Sequence, residues 1–312
     1  MKYVLKKVLS CIITLFIVSL LVFVAFSLIP GDPALSRLGT NATEAALASL
    51  RHQMGLDRPL AVRYFEWLAS AIRGDFGKSY SYSMTVTSMI ADKLPITLTL
   101  MLYSMVLMVI ISVPLGVYAS YKEGTAIDKV IQIINQITMA IPPFFSGILI
   151  TLIFGMTLKM FTPGGFVSVK ISPSRFFGFM FFPSLAIALP KSAMVLNLLY
   201  SSLNAEKKKD YVRTAYSRGN KSKTVFFGHM LKNASIPTIT FLGMALADMI
   251  AGSIIIEQVF GIPGLGRILL TSIQNRDYPV VIAIIMLIAC VVIVSNLLVD
   301  IIYKLVDPRV KD

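Results

Sequence analysis

The chain has 312 residues, of which 56% are hydrophobic and only 14% charged, and its mean hydropathy is +0.76. Soluble domains run about 45–50% apolar and about 25% charged, so a water-soluble globule is excluded and an integral membrane protein is indicated. The net charge of +13 is accounted for by basic loops near anionic headgroups, which leaves no need for nucleic acid as a partner.

Six stretches reach the roughly 20 mostly apolar residues that cross hydrocarbon as a helix. They lie near Val8–Ile29, Pro95–Ala119, Val130–Leu158, Pro183–Leu203, Ile236–Ile256 and Pro279–Leu305. The runs are long and continuous rather than alternating, so the fold class is all-α, with six transmembrane helices. The opening "MKYVLKK" precedes an apolar run longer than a signal-peptide core and no A-x-A site follows, so residues 1–29 are read as a cytoplasmic end and an uncleaved first helix.

Residues 30–94 form an outer segment too long for a simple connection, and they are expected to fold into a small cap. In "NATEAALASLRHQMGL", Asn41 with Glu44 three residues on reads as a capping box for a short helix ending near Gly55. A second helix follows in "RPLAVRYFEWLASAIRGDFG", with Tyr64, Phe65, Trp67, Leu68 and Ile72 as candidates for packing on the membrane or the bundle.

The span-rich region 95–305 forms a five-helix transmembrane core, with a polar insertion at 204–235 and a short tail at 306–312. Pro114, Pro142, Pro143 and Pro190 are expected to break or kink spans two, three and four. Lys191 and Asp248 are ionisable groups deep in spans four and five, each costing about 2.5–3.5 kcal/mol there unless paired or hydrated. Each lies a similar number of residues from the outer end of its span, so their depths match and they are expected to pair. Two readings stay open for them: a buried structural ion pair, or the polar lining of a substrate path.

The most basic run, "KKKDYVRTAYSRGNKSKTVFFGHMLKN" at 207–233, sits between spans four and five. Lys207–Arg218 has no helix breaker, Val212, Ala215 and Tyr216 recur at helical spacing, and Gly219 with Asn220 supplies a stop. A second helix is expected from Ser222 through "VFFGHMLKNA" toward Pro237. With both termini inside, sixteen Lys and Arg fall on inner segments and twelve are spread over longer outer ones, so the termini and this loop are placed in the cytoplasm. The bland alternative is a loop that merely touches headgroups.

The outer "EQVFGIPGLGR" is glycine-rich, yet it lacks the Lys and Ser/Thr of a phosphate-binding loop and reads as a structured turn. The only histidines, His52 and His229, lie in different loops, and no paired carboxylates occur at mid-membrane, so no catalytic residue is assigned. Cys11 and Cys290 each lie within a span, and neither a disulfide framework nor a metal site is indicated.

These features together resemble the permease subunits of ATP-binding-cassette importers, in the oligopeptide/dipeptide/nickel family. The resemblance is carried by "DYVRTAYSRGN" and by "IPGDPA", "GLDRPL", "RGDFGKS", "PLGVYAS", "EQVFGIPGLGR", "NRDYPVV" and "DPRVK", in this order along nearly the whole chain. Of the general importer coupling pattern, Ala215, Gly219 and Leu231 match. The resemblance implies a type I importer permease architecture. It also implies an ATPase-coupling role for Asp210, Tyr211, Val212, Arg213, Thr214, Ala215 and Gly219, and an extracytoplasmic loop at Glu257, Pro263, Gly264 and Gly266. The implied partners are a second related permease, two ATPases that carry the ATP and magnesium, and an extracytoplasmic binding protein, assembled in the cytoplasmic membrane of a bacterium or archaeon. Short peptides are the favoured cargo, with nickel or a metal–chelator complex as the alternative. A six-span channel or secondary transporter is the competing class, though no inverted repeat or ion-coordinating broken helix favours it.

Overall fold

The computed structural model describes residues 2–29, 31–39, 42–82 and 84–306. Asn41 and the "DPRVK" run lie outside the described residues, as does the side chain of Asp300. The described residues are almost entirely helical. Five helices are long and apolar enough to cross a membrane, and six spans result if one bent pair is counted as a single crossing. The chain is therefore a multi-pass membrane protein of all-α class. Packing divides it into two compact units, residues 1–97 with 263–294, and residues 98–262 with 295–312.

In the first unit, α1 (Lys2–Leu28) is the first span, followed by α2 (Pro33–Leu38), α3 (Glu44–Gln53) and α4 (Leu60–Ile72). Asp32 caps α2 through its carboxylate, which accepts from Ala34 N at 2.9 Å and from Arg51 Nε at 2.7 Å. Thr43 caps α3, its Oγ1 accepting from Ala46 N at 3.3 Å. The helix thus opens at Glu44 rather than three residues before it, because Thr43 is the residue with the extended backbone and the reaching hydroxyl. On α4, Tyr64, Trp67 and Leu68 share the face turned to α1. Tyr64 is buried against Phe23 at 5.4 Å between ring centres, and its hydroxyl meets Ser19 Oγ at 2.8 Å. Phe65 and Ile72 are 61% and 79% exposed on an adjacent side of α4, which leaves the membrane surface, of the two expected partners, for them to pack on. Their helical angle, not their hydrophobicity, decides this.

The same unit contains α12 (Leu265–Gln274), a helix that the glycine-rich turn did not announce. Just after it, Asp277 is completely buried and receives three donors: Ser79 Oγ, Tyr80 N at 2.9 Å and Ser81 N at 3.1 Å. Ser79 Oγ in turn accepts from Tyr82 N at 2.9 Å. The "RGDFGKS" and "NRDYPVV" motifs are therefore two halves of one latch. Arg276 beside it fills the space over Gly31, where an added Cβ would fall 1.0 Å from its Nη1 and where φ is +131°. Only glycine fits at that position.

The second unit is built on α8 (Pro173–Glu206), which α6 (Ala126–Ala140), α7 (Pro143–Ile150) and α11 (Leu231–Phe260) surround. Most of its apolar length is buried, whereas that of α1 is mostly open. The preceding long helix, α5 (Val86–Tyr121), meets α8 closely at Gly116, where a Cβ would lie 3.3 Å from the Leu196 carbonyl. Ser146 Oγ fastens α7 to α8 by donating to Ala186 O at 2.6 Å. Phe161 stacks on Phe182 at 4.5 Å and on Phe260 at 5.8 Å.

The third expected span, Val130–Leu158, is not one straight helix. It is α6 and α7, turned by 104° across the break at Ile141 and Pro142. Two successive prolines remove adjacent N–H donors and force the preceding residue out of the helical region, so the ladder ends there. Beyond α7 a wide π-helical turn occupies Thr151–Thr157. Pro114 and Pro190, by contrast, lie within uninterrupted helix. The helices also outrun their hydrophobic stretches: α5 begins at Val86, ahead of Pro95, and α8 at Pro173, ahead of Pro183.

Replacing Asp277 by Ala leaves three buried or half-buried donors without an acceptor, and the expected destabilisation is about 3 kcal/mol. A thermal melt of the detergent-solubilised protein should fall by several degrees, with faster proteolysis near residues 77–82. A melting point within a degree of the parent excludes the latch.

Candidate functional site

The polar insertion folds as α9 (Asp210–Ser217), shorter at its start than the expected Lys207–Arg218 because residues 207–209 make a turn out of α8. One side of α9 is apolar. Val212 is buried with Leu199, Leu203, Val225, Phe226 and Met230, while Tyr211 and Ala215 pack beside them. The other side is open: Asp210, Arg213, Thr214, Tyr216 and Ser217 are exposed. Gly219 adopts φ +79° and its N–H returns to Tyr216 O at 2.9 Å, while Asn220 Nδ2 donates to Ala215 O at 3.1 Å. That left-handed residue and amide close the helix end.

The base of α9 rests on Glu206, a carboxylate only 9% exposed at the end of α8. It accepts from Lys209 Nζ and from the Tyr211 hydroxyl. Burial pushes the Tyr211 phenol above its ordinary pKa, and its hydrogen bond to Glu206 pushes the same way. Lys207 reaches back to α5 and the turn after it, donating to Ser120 O at 2.6 Å and to Glu123 Oε2 at 2.7 Å. Glu206 and Lys207 were not singled out by the sequence patterns. The signal was present in "NAEKKKD", an acid at the very end of an apolar span followed by three cations.

The second helix expected after Ser222 is not a separate element. A short α10 (Ser222–Thr224) passes through a π-helical turn at Val225–Met230 directly into α11, a single run from Ser222 to Phe260. The expected start near Ser222 matches, but the helix does not stop before the fifth span: the backbone ladder continues past Pro237 to Phe260. His229 is exposed on this segment.

Lys191 and Asp248 stand on adjacent faces of α8 and α11, with Lys191 Nζ 2.6 Å from Asp248 Oδ2. The lysine side chain is 15% exposed and the aspartate 64%. Glu257, near the end of α11, is completely buried. Gly261 closes that helix at φ +69°, and Ile262 N returns to Glu257 O at 2.8 Å. Pro263 and Gly264 then form the turn, Gly264 is the extended residue before α12, and Gly266 is buried in the first turn of that helix.

Known proteins match over the whole chain. Residues 112–312 match the family described as "Binding-protein-dependent transport system inner membrane component", and residues 1–101 match its companion N-terminal family. The chain belongs to this permease family. Among similar proteins, the oligopeptide transport system permease protein AppB of Bacillus subtilis is 34% identical over 312 residues, covering 99% of each chain. The probable peptide ABC transporter permease protein y4tP of Sinorhizobium fredii is 32% identical over 309 residues, again 99% of each. A putative peptide transport system permease protein of Brucella abortus is 32% identical over 308 residues, 99% of this chain and 98% of the relative. The chain is thus an ABC importer permease subunit, of a family that is not itself enzymatic. In this permease, α9 occupies the segment whose sequence carried the resemblance.

Removing the carboxylate with Glu206→Gln should loosen the base of α9 while keeping its size. Amide exchange at residues 207–220 should quicken by at least about tenfold, from loss of one or more charge-assisted hydrogen bonds of about 1.5–3 kcal/mol each. Unchanged exchange there removes Glu206 as the anchor.

Proposed function

We propose that this permease moves short peptides across the cytoplasmic membrane, and that α9 transmits the motion of partner ATPases to the bundle. One observation carries the coupling role: α9 is held on an apolar base by Tyr211, Val212 and Ala215, yet presents a polar, exposed face beyond the end of a span. A lipid-contacting helix would place its apolar face outward and its basic residues at the headgroups. Here the apolar face is spent on the bundle, which leaves the exposed face for a protein. In this reading the face of Asp210, Arg213 and Thr214 docks on an ATPase, and α9 and both termini are cytoplasmic.

The wider assembly follows the family: a second related permease, two ATPases that bind ATP and magnesium, and a binding protein that delivers cargo to the outer loops around Glu257–Gly266. Closure of the ATPases on ATP drives α9 and the helices it rests on between inward-open and outward-open arrangements. Peptide cargo is supported by the names of the similar proteins, each of which is described as a peptide or oligopeptide permease. Nickel or chelated metal has no such support.

Mild isolation of the tagged chain from its native membrane, with mass spectrometry of what accompanies it, tests the assembly. A second permease, ATPases and a binding protein are the expected companions. The chain recovered alone, under conditions that keep other importers intact, would overturn it.

Gly219→Val separates docking from folding. No atom lies within 4 Å of a Cβ at this position, so the bundle is not crowded, but φ of +79° strains any β-branched residue by about 1–3 kcal/mol. Uptake should fall by at least about tenfold with the membrane level unchanged. Full uptake by this variant counts against the coupling role of α9.

A further inference from the structure

We propose that Asp248 is a transient site for the primary ammonium group of the transported peptide, and that Lys191 is the resident ammonium that occupies this site when the path is empty. This rests on the peptide-permease reading above and extends it to one contact.

The exposure pattern of two packed helices leads to it. On α8, from Phe179 to Pro190 no residue is exposed, while Met194, Asn197, Ser201 and Ala205 are, at spacings of a single helical stripe that begins at Lys191. On α11 the exposed stripe runs through Pro237, Met244, Asp248, Ala251 and Ile255. Lys191 therefore marks the point where α8 passes from enclosed to open, about 22 Å of helix from its Glu206 end. The ion pair stands at the head of the open stretch.

A carboxylate that exposes 64% of its side chain within a span is not facing lipid, where an unsolvated charge costs about 2.5–3.5 kcal/mol even on the most lenient scale. It faces water or protein. The two partners are also unequal, since Lys191 is largely covered and Asp248 is not. The member that an incoming molecule meets is the acid. Only its Oδ2 is engaged, and a carboxylate offers about four acceptor positions.

The chemistry then selects the guest. An R–NH3+ group arriving at Asp248 is the same kind of donor as the Lys191 ammonium, so the exchange keeps the acid paired, while the displaced Lys191 ammonium is met by the water that enters with the cargo. Every peptide with a free amino end carries this group, whatever its side chains. The flanking Met194 and Met244 are unbranched thioethers that reshape easily around dissimilar neighbours. The site is thus selective for the backbone terminus and tolerant of the rest.

The test is uptake of one free-amino peptide by the complete importer, with membrane levels of each variant measured in parallel. The binding protein and cargo are the same throughout, so their preferences cancel. The parent should take up the peptide. Asp248→Asn should lower uptake by at least about tenfold, the effect of removing the charged acceptor of one ammonium contact. Lys191→Met should keep uptake but lower KM, because the competitor is gone. Asp248→Glu should recover part of the loss. The deciding variant carries both Lys191→Met and Asp248→Asn, which abolishes the charges together and leaves no buried ion unpaired. Uptake as poor as in Asp248→Asn alone supports the ammonium site. Restoration to the parental rate shows a purely structural pair and overturns the proposal while leaving the peptide reading intact. If the unaltered importer takes up no peptide at all, the peptide reading itself falls and the ammonium site with it.

Discussion

A carboxylate inside an apolar bundle needs a partner, and three of this chain's acids show what that requirement does to the surrounding segments. Asp277 is closed by a hydroxyl and two backbone amides. Glu206 is closed by a lysine and a tyrosine that belong to the segment it supports. Asp248 is closed by Lys191 from the neighbouring helix. For Asp277 and Glu206 the cost of dehydrating a carboxylate makes a distant or polar stretch of chain take up one position, while at Asp248 the covered partner is the lysine. Apolar packing is plentiful in such a sequence but directionless, and these acids supply the register that it lacks.

The three acids divide the work. Asp277 organises the first unit, where the link between the end of α12 and residues 79–81 holds a segment that would otherwise be a free strand of loop. Glu206 and Lys207 organise the foot of the second unit: Glu206 holds the start of α9, and Lys207 ties the end of α8 to the turn after α5 through Glu123. The Lys191–Asp248 pair lies between the foot and the far end of α8 and α11, where no loop exists to be held. A purely structural role is least needed there, because α8 and α11 already pack along their length.

Much of the architecture was legible in the residues. Continuous apolar runs located the spans, and the spacing of Val212, Ala215 and Tyr216 with the stop at Gly219 located α9 to within a few residues. The match in depth of Lys191 and Asp248 anticipated their contact. What escaped has a common cause: hydropathy reports where hydrocarbon is, whereas helices end where backbone donors do. Hence the helix expected from Ser222 runs on into α11 instead of ending near Pro237, and α5 and α8 begin well ahead of their apolar stretches, whereas the bend at Pro142 is one of the breaks that the prolines announced. The Asp277 latch was unreadable for a different reason, since its halves are nearly two hundred residues apart and each half alone is an ordinary polar turn. The side-by-side choice between Phe65 and Tyr64 needed the helix angle relative to α1, which no composition provides.

The unbroken passage from α10 into α11 has a mechanical consequence. A helix is stiff along its axis, and about 26 residues, or roughly 39 Å, separate Ser222 at the foot from Asp248. If α9 is the coupling helix, a push or twist on it would reach this rod at Val225, Phe226 and Met230, on which Val212 sits. From Pro237 to Asp248 the rod is unbroken helix. Two places along it can yield: the π-helical turn at Val225–Met230, and Pro237, where one ladder bond is missing. Both lie near the foot, so under the proposed coupling the upper part of the lever would turn as a piece, and a small rotation below would become a sideways displacement of the Asp248 carboxylate relative to Lys191.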